Sequence, residues 1–183
     1  MTSVAPSNEV EDPSAGQRWV FHDGDGGVLE ADLYVSPGGF VREHAHPTQA
    51  EIFDCVSGSF TLEVDGMERT IGPGASIVIA PETPHGFSGA REPAHLRVTI
   101  RPALELEQYF RVFLGLSRDG RIRMPVKGLP SPVLQVAIVM DRFAPEIAAP
   151  RVPVRLQRIA WRVLARVARL RGYSSSFPEY GVP

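Results

Sequence analysis

Glycine and proline cut the stretch from Arg18 to Ile100 into short apolar runs, and this punctuation constrains the fold more than any other feature of the sequence. "RWVFHD" and "VLEADLYV" flank "GDGG", and "FTLEV" and "MERTI" flank Asp65-Gly66. Asp-Gly between alternating strands is a strong hairpin signal, because both residues tolerate positive φ. "GPGA" then leads into "SIVIA", and "HLRVTI" follows the loop "SGAREPA". Many short strands joined by tight turns predict an antiparallel, mainly β sandwich or barrel.

The texture changes after Arg101. "PALELEQYFRVFLGL" opens with Pro102 and closes near Gly115, which predicts a helix with proline at its start. "SPVLQVAIVMDRF" predicts a second helix, with Ser131 as N-cap and Pro132 at its first position. Its apolar residues run nearly all round, so it needs cover from this chain or another. "VPVRLQRIAWRVLARVARLRG" predicts a long amphipathic helix stopping at Gly172. Leu156, Ile159, Val163, Val167 and Leu170 are its expected buried face, with Arg155, Arg158, Arg162 and Arg166 on the other side. Residues 1–16 are polar and aperiodic and are expected to be a disordered arm. Residues 17–102 form the predicted β domain, and 103–183 a helical extension that packs on it or on a dimer partner.

Charge is unevenly distributed. Residues 151–172 carry seven arginines and no acid, while the rest of the 183-residue chain holds 12 basic and 21 acidic residues. The net charge of −2 argues against bulk nucleic-acid binding. The arginine helix is expected to dock on its own acidic body, which makes a membrane role the less favoured reading. Cys55 is the single cysteine, so no intrachain disulfide framework exists. The first residues lack a basic and then apolar leader pattern, and a cytoplasmic protein is expected.

"GGFVREHAHPTQAEIFDCVSG", from Gly38 to Gly58, raises the question of chemistry. Alternate residues of a strand share a face, and i and i+2 lie about 6.6 Å apart, so His44 and His46 project in parallel. Pro47 interrupts the strand and resets the register, which allows Glu51, Phe53 and Cys55 to share one face of the next strand. His85 follows the stiff segment "APETPH". Arg42 has the parity of His44, and Phe87 that of His85. Phe40, Arg42, Gln49, Phe53, Cys55 and Phe87 are therefore candidates to line a pocket. Cys55 also fits as a small buried hydrophobe. His22 and His95 read as ordinary strand residues.

This pattern resembles the first motif of the cupin superfamily: a glycine, five residues, His-x-His, three or four residues, Glu, six residues, Gly. Gly38, His44, His46, Glu51 and Gly58 fit every anchor. The second motif is represented by Gly74 and His85, while Ala80, Glu82 and Gly89 replace its usual proline, glycine and asparagine. The resemblance covers about residues 28–100. It implies an antiparallel cupin (double-stranded β-helix, or jelly-roll) barrel, here with C-terminal α-helices. It also implies that His44, His46, Glu51 and His85 ligate a divalent transition metal.

Imidazole with one carboxylate suits Fe, Mn or Ni, with Zn also admissible. Four ligands would close a tetrahedral ion but leave two positions open on an octahedral one. The resemblance implies catalysis on a small organic molecule, with an oxygenase (dioxygenase) first. Isomerase, decarboxylase, polyketide cyclase and non-catalytic ligand-binding activities are the alternatives. A homodimer is expected. A purely structural metal would instead predict a pocket packed shut by Phe40, Phe53, Phe60 and Phe87.

Overall fold

Asp65 and Gly66 form the two-residue loop of a hairpin, both at positive φ (50° and 76°). They join Phe60–Val64 to Met67–Ile71, with Val64 opposite Met67. This is the primed turn whose twist matches that of the flanking strands. In the computed structural model, residues 8–24, 27–87, 90–123, 125, 130–144 and 146–182 are described. Asp25 and Gly26 of the first hairpin, and Gly89, lie outside them.

Ten strands build two antiparallel sheets. They are β1 (Glu9–Asp12), β2 (Gln17–Phe21), β3 (Leu29–Val35), β4 (Val41–His44), β5 (Ala50–Ser57), β6 (Phe60–Val64), β7 (Met67–Ile71), β8 (Ser76–Ile79), β9 (His85–Phe87) and β10 (Ala94–Arg101). One sheet has the order β1-β2-β3-β10-β5-β8 and the other β4-β9-β6-β7. Their inner faces enclose Leu33, Leu62, Leu96 and Ile100, none of which reaches solvent. Burying each such side chain stabilises the fold by about 1.5–3 kcal/mol. Gly58 closes the loop after β5 at φ +80°, and a Cβ there would lie 2.2 Å from the Pro93 carbonyl oxygen, so only glycine fits.

The N-terminal segment departs from the expected disordered arm. Within it, Glu9–Asp12 extends the larger sheet by pairing with β2. Asp12 then turns the chain by accepting hydrogen bonds from the backbone N–H and hydroxyl of Ser14. Local turn chemistry, absent from a reading of apolar periodicity, orders this piece.

Three helices follow: α1 (Leu106–Arg118), α2 (Val133–Arg142) and α3 (Val154–Leu170). α1 starts four residues after Pro102, because Leu104 sits in left-handed space (φ 45°) and breaks the helical path. Pro132, with extended ψ, is itself the N-cap of α2, so Ser131 lies one residue outside. The apolar α2 run is covered within this chain: Val136, Ala137, Ile138 and Val139 are all buried. It therefore gives no ground for a dimer.

α3 corrects the expected packing. Leu156, Ile159, Val163 and Leu170 are 59%, 60%, 59% and 84% exposed, and Val167 is exposed as well. The inward stripe is instead Val154, Gln157, Trp161, Leu164, Ala165 and Ala168. Ala165 and Ala168 are fully buried, and small residues there let α3 lie close along α2. Gln157 ties the start of the helix down by bonding the N–H and carbonyl of Ala149 and the carbonyl of Val152.

His22 and His95 share a structural partner. Their Nε2 atoms lie 2.8 and 2.9 Å from the two carboxylate oxygens of Asp32, with Arg97 beside them at 3.4 Å. Burial opposes ionisation of Asp32, but His95, His22 and Arg97 together hold its carboxyl below the ordinary range. A depressed folded pKa contributes stability above the unfolded value of about 3.9, which is lost as pH falls through the folded one. Asp32→Asn should therefore cost about 1–2 kcal/mol in urea unfolding at neutral pH. The gap to wild type should narrow below about pH 4.

Candidate metal centre

Both sheets contribute to one cluster. β4 and β9 pair so that His44 lies opposite His85, after an irregularity that follows Val41. Directly opposed residues of an antiparallel pair hold their side chains together. His46 follows Ala45, whose N–H and carbonyl both bond Ala148 at 2.9 Å. That bridge pins the chain between the two histidines to the segment after α2. Glu51 comes from the other sheet, on the buried face of β5 that it shares with Phe53 and Cys55. One ligand atom from each of His44, His46, Glu51 and His85 lies within 4.8 Å of every other.

The three imidazoles are aimed by the same device. Nδ1 of His44, His46 and His85 donates to the backbone carbonyls of Arg42, Glu146 and Thr83, at 2.9, 2.7 and 2.8 Å. A carbonyl only accepts, so Nδ1 carries the proton and Nε2 turns to the centre. Nε2 of His85 lies 2.9 Å from Oε2 of Glu51. Nε2 of His46 lies 3.5 Å from that oxygen, beyond usual hydrogen-bond geometry, and this buried nitrogen has no hydrogen-bond partner. A buried orphan acceptor at the focus of two further imidazoles and a carboxylate fits a bound cation.

The electrostatics pull the histidines in different directions. Burial, then the neighbouring His85 and His46, push His44 well below its usual range, so it stays neutral and able to ligate. Burial opposes the charge on Glu51, yet the contacts from His46 and His85 hold its carboxyl well below the ordinary range. Burial would also lower His46, but Glu51 overcomes it and raises that histidine. The four residues could hold a transition metal. One carboxylate among three nitrogens suits Fe, Mn, Ni or Zn.

A cavity of about 340 Å³ opens beside the cluster and is lined by His44, Glu51 and His85. Phe40, Arg42, Phe53 and Phe87 also line it, while Phe60 is buried in the core. The aromatic side chains thus wall a space instead of packing it shut. Cys55 and Gln49 are not among the lining residues. The Cys55 thiol turns to the carbonyls of Ser57 and Gly58. Gln49 is buried and donates to the carboxylate of Glu146 at 2.9 Å. Helices add to the wall: Tyr109, Phe110 and Phe113 of α1, Val136 and Met140 of α2, and Trp161 of α3.

Glu146 was not legible in the sequence. Its carbonyl orients His46, and its carboxylate bonds Gln49 and the N–H of Glu105. "FAPEIAAP" has no spacing that ties it to a histidine 100 residues earlier.

The Cupin domain family matches residues 31–100, and this part of the chain is a cupin domain. No curated protein matches the sequence. Among solved structures, a RmlC-like cupin from Shewanella frigidimarina is 24% identical, with a TM-score of 0.48 over 52% of this chain and 85% of its own. KdgF from Halomonas sp. is 20% identical, with a TM-score of 0.47 over 51% of this chain and 84% of its own. A sugar phosphate isomerase of the cupin superfamily from Silicibacter pomeroyi is 22% identical, with a TM-score of 0.44 over 54% and 67%.

Metal analysis checks the centre. His46→Ala should lose bound metal while keeping the β-rich circular dichroism spectrum. Glu146→Ala keeps the backbone carbonyl that His46 bonds but removes the carboxylate that ties this segment to Gln49 and Glu105, and should weaken metal affinity by less than the about 10–100-fold expected for losing a direct partner of a ligand.

Proposed function

We propose that the protein is a metal-dependent enzyme of oxygenase type that acts on a small, largely apolar organic molecule. The observation that supports this reading is the state of the carboxylates around the cavity. Among the described residues its wall contains three: Asp12, Glu43 and Glu51. Glu51 belongs to the metal set. Asp12 accepts from Ser14 and from the N–H of Ala15. Glu43 is held by both terminal nitrogens of Arg151, at 2.7 and 2.8 Å. None of the three stands ready as the general base that proton-shuttling chemistry requires.

A divalent transition ion in the centre would supply Lewis acidity and, for iron or manganese, redox chemistry. The chain's own residues do the rest. Phe40, Phe53, Phe87 and Trp161 exclude water and favour an apolar body. Arg42 offers a planar cationic fork to a carboxylate or phenolate end of the substrate. The carbonyls behind the three histidines fix the rings and turn Nε2 to the centre.

Oxygen-electrode measurements on iron-loaded protein, with a panel of small aromatic and aliphatic acids, test the reading. Substrate-dependent oxygen uptake is expected, abolished in His46→Ala and weakened in Arg42→Ala through KM. Turnover that persists without oxygen would replace it with an isomerase, decarboxylase or cyclase. Tight binding with no turnover would make the protein a ligand-binding cupin.

A further inference from the structure

The outer surface of α3 is a binding face that neither the metal centre nor the cavity explains. Leu156, Ile159, Val163, Val167 and Leu170 recur at helical spacing along one exposed stripe. Arg155, Arg158, Arg162 and Arg166 occupy the adjoining stripe and are exposed too. Among the described residues these four arginines form no ion pair, although Arg151 and Arg169 at the two ends pair with Glu43 and Asp141. The helix contains no acid. Its inner side is occupied by its own chain, so the stripe is not a docking face waiting to fold inward.

We infer that α3 is an interfacial helix that docks the folded protein on an anionic lipid surface. Apolar and cationic sectors side by side on one exposed face match that surface twice over. The apolar stripe enters the acyl boundary while the arginines reach phosphate headgroups. No helix among the described residues is long and apolar enough to cross a membrane, so the attachment is lateral. Charge complementarity selects lipid over a second copy, because stripe-to-stripe association would bring two acid-free cationic helices together.

Co-sedimentation of full-length protein with vesicles tests the inference, using phosphatidylcholine alone and phosphatidylcholine mixed with phosphatidylglycerol. The wild type should bind only the mixed vesicles and leave them as salt is raised. Ile159→Glu with Val163→Glu should weaken binding at least about tenfold. Replacing the four stripe arginines by glutamine should weaken it at least about 100-fold. All these side chains are exposed, and unchanged thermal melts will show that the variants fold. Wild-type protein left in the supernatant overturns the inference. So does equal binding to both vesicle types, or binding that survives the double glutamate change. A lipid-free dimer in analytical ultracentrifugation that Val163→Glu dissociates also overturns it, and assigns the face to a second copy.

Discussion

One buried contact joins the two halves of this molecule. Glu51 stands on the six-stranded sheet and His85 on the four-stranded one, and their side chains meet 2.9 Å apart. A carboxylate removed from water is costly unless cations or donors surround it. Here Glu51 faces imidazoles whose Nδ1 protons are taken by backbone carbonyls, so a cation held between them would supply the missing charge. The two sheets therefore converge on a small polar knot inside an otherwise apolar interior. Strand register, the Ala45–Ala148 bridge and the Gln49–Glu146 bond all serve to keep that knot in one arrangement.

Much of the β domain was legible because its information is local. Asp65-Gly66 specifies a turn without help from distant residues, and alternation along β5 tells which side chains face inward. The clustering of His44, His46, Glu51 and His85 was legible because the four residues at cupin spacing lie within about 40 positions of one another. The exceptions share a cause. Glu146 reaches His46 across 100 residues, and Gln49 follows it out of the cavity wall. Contacts of that separation depend on how the helices return to the sheets, which no short spacing records.

α3 failed for a different reason. It carries two stripes able to face a neighbour, one rich in large aliphatics and one built on Trp161, Ala165 and Ala168. Hydrophobicity ranks the first higher. Close approach favours the second, since alanine leaves room for the backbone of α2. Among the described residues the expected counter-charges are also absent along the arginine stripe, although Arg151 and Arg169 at its ends do find carboxylates. A large apolar residue on an amphipathic helix is not by itself evidence of burial.

The cavity wall carries a consequence for how such a protein can change over time. The four residues that could hold a metal lie within residues 44–85, whereas the helical part of the cavity wall comes from Tyr109 to Trp161. The four-residue centre and the helical part of the wall thus come from separate stretches of the chain, although Phe40, Arg42, Phe53 and Phe87 add to the wall from in or beside the stretch that carries the centre. Substitutions at Phe113, Met140 or Trp161 can reshape the cavity without touching the four-residue centre. A lineage could change the shape of its cavity by drift in its helices while its centre stays constant.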